Sequence, residues 1–177
     1  MRIKSGIGWV LLIILNCFCA AYQANDIFGD MTYRIGNEYT SEQVKLVNGE
    51  YAEPGMLYVK YDHQYARGDF NHDGLQDAAV IITESGGGSG NFRQMAFLIN
   101  DGEKLVHQST EYLGDRVKIN SIKERGGKVI LDMFIHRDDD CLAGPTKHVR
   151  KVYKYNGPDT WGKPFSEALA ASAPVGQ

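Results

Sequence analysis

The sequence predicts a mainly β protein, a single antiparallel curved sheet or small sandwich over residues 27–156. Short runs rich in β-branched and aromatic residues, separated by turn residues, indicate this class. No stretch as long as about 12 residues has the 3.6-residue apolar period of a helix. The composition, 43% hydrophobic and 23% charged in 177 residues, is that of an ordinary globular chain, and one domain is the expectation at this length.

The N-terminal segment has the pattern of an export signal. Arg2 and Lys4 precede an apolar run over residues 7–21, and small residues follow as far as Ala24. A basic start, an apolar stretch of about 15 residues and a small-residue exit are typical of a cleaved secretory signal, whereas a spanning helix needs about 20 apolar residues. We therefore expect residues 1–24 to be a signal peptide. The protein is then exported, periplasmic or secreted, with no stable membrane span after cleavage.

Loss of that segment changes the charge and the cysteine content. Without Arg2 and Lys4 the formal net charge goes from −3 to −5, and this acidic balance argues against a nucleic-acid partner. Cys17 and Cys19 also leave, so that Cys141 has no partner for an intrachain disulfide. Stability must then come from the apolar core, which a chain of about 155 residues is long enough to build.

The sequence predicts four strands within residues 44–108. Residues 44–51 form a strand that enters a tight turn at Asn48-Gly49. Asp77–Thr83 is an apolar run rich in β-branched residues, which is typical of a strand buried on both faces. In Phe92–Asn100 large apolar residues occupy alternate positions, and Asn100-Asp101-Gly102 predicts a turn that returns the chain as a partner strand over 104–108.

The second half predicts a further hairpin and a last strand. Val117–Ile119 and Val129–Ile135 flank the turn residues Arg125-Gly126-Gly127. In His148–Tyr155 bulky and basic residues alternate, which predicts a strand with one solvent-exposed face. Glycine and proline are frequent after Tyr155, so residues 157–177 are expected to form a loose C-terminal tail.

The loop before the buried strand carries the clearest functional motif. Side-chain oxygens fall at relative positions 1, 3, 5 and 9, in the order Asp69, Asn71, Asp73 and Asp77. Gly74 permits the sharp turn at position 6, and the Leu75 carbonyl can supply the oxygen of position 7. Ca²⁺ takes six to eight such oxygens, so this spacing predicts a calcium site. The alternative is a turn rich in Asp and Asn that is held by its own side-chain to backbone hydrogen bonds without metal.

The loop departs from an EF-hand, because Val80 stands at position 12 instead of a bidentate Glu and because a strand follows. It resembles instead the calcium loops of FG-GAP and VCBS-type repeats and, less closely, dockerin loops. Asp69, Asn71, Asp73 and Asp77 match the ligand positions of that pattern and Gly74 matches its turn glycine. His72 stands where a glycine is common. The chain has one copy of the loop, which excludes a propeller.

A wider resemblance covers most of the predicted domain. The chain is similar to a group of small exported bacterial proteins of unknown function. The matching segments are Val44–Tyr51, the Gly68-Asp69 loop, Gly88–Phe92, Leu98–Gly102, Leu113–Ile119 and Leu131–Met133. That group often carries Cys-Cys-Pro-Thr, whereas residues 141–146 here read Cys-Leu-Ala-Gly-Pro-Thr. The resemblance implies a single exported domain and no particular reaction.

Two other segments offer alternatives. Glu84–Asn91 is rich in glycine but lacks the Gly-Lys-Ser/Thr ending of a phosphate loop, which favours a flexible strand connection. Part of it, Gly86–Asn91, is a candidate plug for an inhibitor of an envelope-degrading enzyme. His136, Asp138–Asp140 and His148 are candidates for a hydrolase, and with Cys141 for a soft-metal site. Their spacing matches no established ligand pattern.

The sequence thus predicts an exported, non-enzymatic β domain with one Ca²⁺-stabilised loop and no catalytic residues. Its partner is expected to be an unidentified protein or a component of the cell envelope. The hydrolase and the inhibitor remain open alternatives at this stage.

Overall fold

The computed structural model describes residues 26–36, 41–140 and 144–159, and it confirms the mainly β, antiparallel class. A short 3-10 helix, Ile27–Asp30, precedes ten strands in these residues. The strands are β1 (Thr32–Gly36), β2 (Ser41–Lys45), β3 (Glu50–Glu53), β4 (Leu57–Gly68), β5 (Asp77–Ser85), β6 (Phe92–Asn100), β7 (Leu105–Asp115), β8 (Lys118–Glu124), β9 (Lys128–Ile135) and β10 (Lys147–Lys154).

The strands form three antiparallel sheets, none of which closes into a barrel. The central sheet has the order β3-β4-β5-β6-β7, so each strand pairs with its neighbour in sequence. β1 and β2 form a separate hairpin, and β10-β9-β8 form a three-stranded sheet. This meander arises because every connection in the central sheet is short enough to be a hairpin loop.

The core lies on both sides of β5, as the apolar run of Asp77–Thr83 predicts. Val80 and Ile82 pack against the β1-β2 hairpin, whereas Ala79 and Ile81 pack against the three-stranded sheet. All four side chains are 0% exposed. Because successive side chains of a strand point to opposite faces, a strand that is apolar at every position requires a layer on each side. The central sheet is therefore sandwiched between the other two.

Both predicted hairpins are present. Asn100-Asp101-Gly102 joins β6 to β7, and the Asp101 carboxylate accepts the N–H groups of Glu103 and Lys104. Arg125-Gly126-Gly127 joins β8 to β9, and both glycines have a positive φ. On β9 the predicted apolar face is confirmed, since its side chains pack in the core against the central sheet: Val129, Leu131, Met133 and Ile135.

The structure contains two strands that the sequence patterns do not indicate, β1 and β4. The strand predicted over residues 44–51 is wrong as a single strand, because it is divided between the end of β2 and the start of β3 by the turn at Asn48-Gly49. β4 is 12 residues long, yet it carries three residues between Tyr61 and Tyr65 where β5 carries only Ile81. This irregularity interrupts the alternation that would have revealed the strand, and His63 within it has a φ of 55°. β7 also extends beyond the predicted residues 104–108, as far as Asp115.

Several sequence predictions lie outside the described residues. They concern the signal peptide of residues 1–24, Cys141, and residues 160–177 of the expected tail. Within the tail, Asp159 contacts β7, because its N–H donates to the Gln108 carbonyl and its carboxylate accepts from the Thr110 N–H. No helix in the described part of the chain has the length and apolarity to cross a membrane.

Candidate functional site

The Asp69–Asp77 loop connects two neighbouring strands of the central sheet, β4 and β5. It leaves β4 after Gly68 and enters β5 at Asp77, and these two residues are partners in the strand ladder. The loop is therefore a wide hairpin connection whose ends are fixed by the sheet. Gly74 has a φ of 87° and His72 a φ of 64°, and these two left-handed residues wind the backbone tightly.

Three of the predicted ligands converge within this loop. The Asp73 N–H donates to Asp69 Oδ1 at 3.1 Å and to Asn71 Oδ1 at 3.2 Å, so two side-chain oxygens meet at one amide. Asp69 Oδ2 also accepts the Gly74 N–H at 3.0 Å. The Asp73 carboxylate accepts from the Leu75 N–H at 2.8 Å and from the Asn71 amide at 2.7 Å. Asp69, Asn71 and Asp73 thus curl over the same backbone turn, and their side-chain to backbone hydrogen bonds are also those that the metal-free alternative predicts.

The fourth predicted side-chain ligand has a structural role. Asp77 is 0% exposed, and its Oδ2 accepts the Phe70 N–H at 2.8 Å. Its Oδ1 accepts the Asn100 N–H at 2.9 Å, at the end of β6. One carboxylate therefore ties the start of the loop to the neighbouring strand. The sequence spacing identified Asp77 but not this double hydrogen bond.

The donor set of the loop suits a hard cation. Each carboxylate has about four lone-pair sites, so the hydrogen bonds of Asp69 and Asp73 leave acceptor capacity for an ion. Asp73 is exposed and Asp69 is half-buried, so water and ions reach them. With the Asn71 amide and the Leu75 carbonyl, these are the oxygen types that Ca²⁺ prefers. Among the described residues no three His, Cys, Asp or Glu side chains form a metal-binding group.

The loop touches the turn of the β8-β9 hairpin, a contact for which the sequence has no signal. Gly127 has a φ of 72°, and a Cβ placed on it would lie 2.5 Å from His72 Cε1 and 3.2 Å from the Asp69 carbonyl. His72, which stands where a glycine is common in calcium loops, thus contacts the three-stranded sheet. The loop joins the central sheet to the three-stranded sheet at this point.

No family model, curated protein or solved structure matches this chain. The FG-GAP and VCBS-type resemblance of residues 67–80 therefore stays a prediction.

Of the proposed hydrolase residues the structure brings His136 and Asp140 near each other, with His136 Nδ1 4.0 Å from Asp140 Oδ2, but it does not assemble the full set. His148 Nε2 lies 2.9 Å from Asp132 Oδ1, on the outer face of the three-stranded sheet. Asp140 instead closes its own loop, accepting hydrogen bonds from the Arg137 N–H and from Thr146. These hydrogen bonds lower the pKa of the Asp140 carboxyl to about 2. Asp138 and Asp139 are exposed and take no part in either group.

The glycine-rich loop between β5 and β6 is held from two sides. The Arg116 guanidinium donates to the Ser89 carbonyl, and the Asn91 N–H donates to the Asp115 carboxylate at 2.8 Å. On the other side Gly87 approaches the β3-β4 turn so closely that a Cβ on it would lie 2.7 Å from the Gly55 carbonyl oxygen. These contacts favour a loop that is fixed across the end of the central sheet over a free loop that could enter the cleft of an enzyme.

Gly87→Ala is expected to destabilise the domain by about 2 kcal/mol, whereas Gly88→Ala is expected to be nearly neutral. Gly87 has a φ of 75° and meets a backbone oxygen that cannot rotate away. At Gly88 a Cβ would meet nothing within 4 Å. Urea denaturation of both variants measures the difference, and equal stability would contradict the close approach of the two loops.

Proposed function

We propose that this chain is an exported, non-enzymatic β domain that binds Ca²⁺ at the Asp69–Asp77 loop. The observation that carries the proposal is the meeting of the Asp69 and Asn71 side-chain oxygens at the Asp73 amide. Alternate side chains of a tight loop aimed at one region are what a multidentate cation site requires. Asp69 and Asp73 would be direct or water-bridged ligands, and Asn71 and the Leu75 carbonyl neutral ones. Asp77, the further carboxylate of the predicted set, would hold the loop in place through its two backbone hydrogen bonds.

The ion would have a structural consequence. Negative charges held within one small loop repel each other, and a divalent cation removes that repulsion. Because the loop follows β4, precedes β5 and contacts the β8-β9 turn, ordering it would stabilise the junction of two sheets. The domain would then serve as a binding module in the periplasm or outside the cell, as the signal pattern of residues 1–24 suggests.

Thermal melting with calcium tests the proposal. We expect millimolar Ca²⁺ to raise the melting temperature of the full chain relative to EDTA, because an ion that binds the folded state alone stabilises it by mass action. At a concentration about 100-fold above the dissociation constant this gain is about 2.7 kcal/mol. Asp73→Asn removes a charged ligand and should abolish most of the gain.

Asp101→Asn provides the matched control. Asp101 also accepts two backbone N–H groups in an exposed turn, but it lies in the β6-β7 hairpin away from the proposed ligands. The variant should keep the full calcium response. A response that Asp73→Asn also keeps, or no response in the parent chain, would contradict calcium binding at this loop.

A further inference from the structure

The outer face of the three-stranded sheet carries a concentration of positive charge. Side chains that alternate with the buried positions of β8, β9 and β10 point away from the core. Its charged residues are five cations and one acid, Lys118, Lys123, Lys128, Arg150 and Lys154 with Asp132. We call this surface the cationic face. The whole chain has a formal net charge of −3, so the charge of this face is opposite in sign to that of the whole chain.

The one carboxylate on this face, that of Asp132, already has partners. Asp132 accepts a hydrogen bond from the Asn120 amide at 2.9 Å, lies 2.9 Å from His148 Nε2 and forms an ion pair with Arg150 at 3.6 Å. Within the described part of the chain no carboxylate lies within ion-pair distance of the four lysines. Their charge therefore faces solvent uncompensated.

Three of the lysines are crowded at the hairpin end of the sheet. Lys128 on β9 lies directly opposite Lys154 on β10. Lys123 lies opposite Ile130 on β9 and is thus a diagonal neighbour of Lys128, about 7–8 Å away at Cβ. Like charges placed opposite each other in a sheet destabilise it. The arrangement does not serve folding, and an anion bound across these residues would relieve the repulsion.

The shape of the face indicates the kind of anion. The cations are spread over all three strands and both ends of the sheet, in two dimensions and not along one line. Among them lies Val152, 60% exposed, beside the half-buried Ile130. An array of cations that is spread in two dimensions, with apolar side chains between them, matches an extended anionic surface better than it matches a linear polymer.

We propose that the cationic face docks on a membrane surface containing anionic phospholipids. This assignment specifies the partner of the proposed binding module, but it does not depend on the calcium loop. A lysine near an anionic bilayer strengthens binding about fivefold, and the contributions accumulate when one face brings several lysines to the surface at once. The apolar side chains would lie at the headgroup level.

Cosedimentation of the full chain with vesicles tests the proposal, in EDTA so that calcium cannot bridge protein and lipid. Vesicles of equal parts phosphatidylglycerol and phosphatidylcholine are compared with phosphatidylcholine alone. The apolar residues 7–21 would bind both kinds, so the cationic face is measured by the preference for the anionic vesicles. We expect that preference to be clear at low salt and to fall at high salt.

Charge reversal locates the binding surface. Lys123→Glu with Lys154→Glu should weaken binding to anionic vesicles by more than about 30-fold, because about fivefold is lost with each lysine and the new carboxylates are repelled. Lys154→Glu places a carboxylate opposite Lys128, so the sheet should be no less stable. Lys45→Glu with Lys104→Glu changes the net charge equally, on β2 and in the β6-β7 turn, and should lose far less binding.

Other outcomes would overturn the assignment. Equal binding to both kinds of vesicle, or equal losses in the two double variants, would show that the cationic face is not the docking surface. Binding of soluble polyphosphate with the same variant pattern, but without binding to anionic vesicles, would make a soluble polyanion the partner. Asp73→Asn should keep vesicle binding in EDTA, which separates this proposal from the failure of the calcium site.

Discussion

Asp77→Ala should lower the free energy of unfolding by about 3–5 kcal/mol, the largest effect that we expect from a single polar side chain here. Asp77 is fully buried and accepts the N–H groups of Phe70 and Asn100. Without the carboxylate both donors lose a charge-assisted hydrogen bond, one of them buried and the other partly buried. Urea denaturation in EDTA, where no calcium contributes, measures the loss.

Two comparisons show which property of Asp77 matters. Asp77→Asn keeps one carbonyl oxygen but turns an amide donor toward the second N–H, so it should cost about half as much as Asp77→Ala. Asp73→Ala removes an exposed carboxylate from the same loop and should cost about 1 kcal/mol or less in EDTA. If Asp77→Ala cost no more than Asp73→Ala, the double hydrogen bond would not be what holds the loop.

Asp77 also shows how far the sequence leads at this site. The regular spacing of oxygen side chains identified the loop, its turn glycine and the strand that follows, because these properties depend on neighbouring residues. The Asn100 N–H that Asp77 accepts and the Gly127 turn that His72 meets are 23 and 55 residues away. Such contacts follow from the packing of sheets, which local spacing does not encode.

The same distinction separates the strands that were predicted from those that were not. β5, β6 and β9 have apolar residues at regular positions and were correctly placed. β4 reads Leu-Tyr-Val-Lys-Tyr-Asp-His-Gln-Tyr-Ala-Arg-Gly, with an irregularity in the middle and one apolar face shared with the β1-β2 hairpin. β4 forms a strand because it pairs with β3 and β5, and its own sequence pattern does not indicate one. The class of fold was therefore predictable, but the division into three sheets was not.

His107 is expected to make the stability of the domain depend on pH. It lies on β7 and is 8% exposed, and its Nδ1 accepts the Arg34 N–H at 2.8 Å. Its Nε2 lies 3.1 Å from the Ser109 carbonyl and 2.9 Å from Thr110 Oγ1. Since Nδ1 accepts, the neutral ring with its proton on Nε2 fits these partners, whereas the protonated ring would lose the acceptor for Arg34.

Burial, and to a smaller extent the positive charge of Arg34, lowers the pKa of His107 from 6.5 to about 4. The unfolded chain therefore takes up this proton at a higher pH than the folded chain does, and stability decreases as the pH falls from about 6.5 toward 4. Above pH 6.5 the contribution is complete. Between pH 7.5 and 5 the loss should be about 2 kcal/mol, because each pKa unit between the two states is worth about 1.4 kcal/mol.

Urea denaturation at several pH values, in the parent chain and in two variants, isolates this contribution. His107→Asn retains an oxygen near the position of Nδ1 for the Arg34 N–H but cannot be protonated, so it should flatten the decline between pH 7.5 and 5. His63→Asn changes an exposed histidine at a φ of 55°, a conformation that Asn tolerates, and should leave the decline intact. A decline that persists in His107→Asn would place the responsible proton elsewhere. A flattened decline would identify His107 as the group whose protonation favours unfolding, and so assign the pH dependence to the contact in which Arg34 and His107 link β1 and β7.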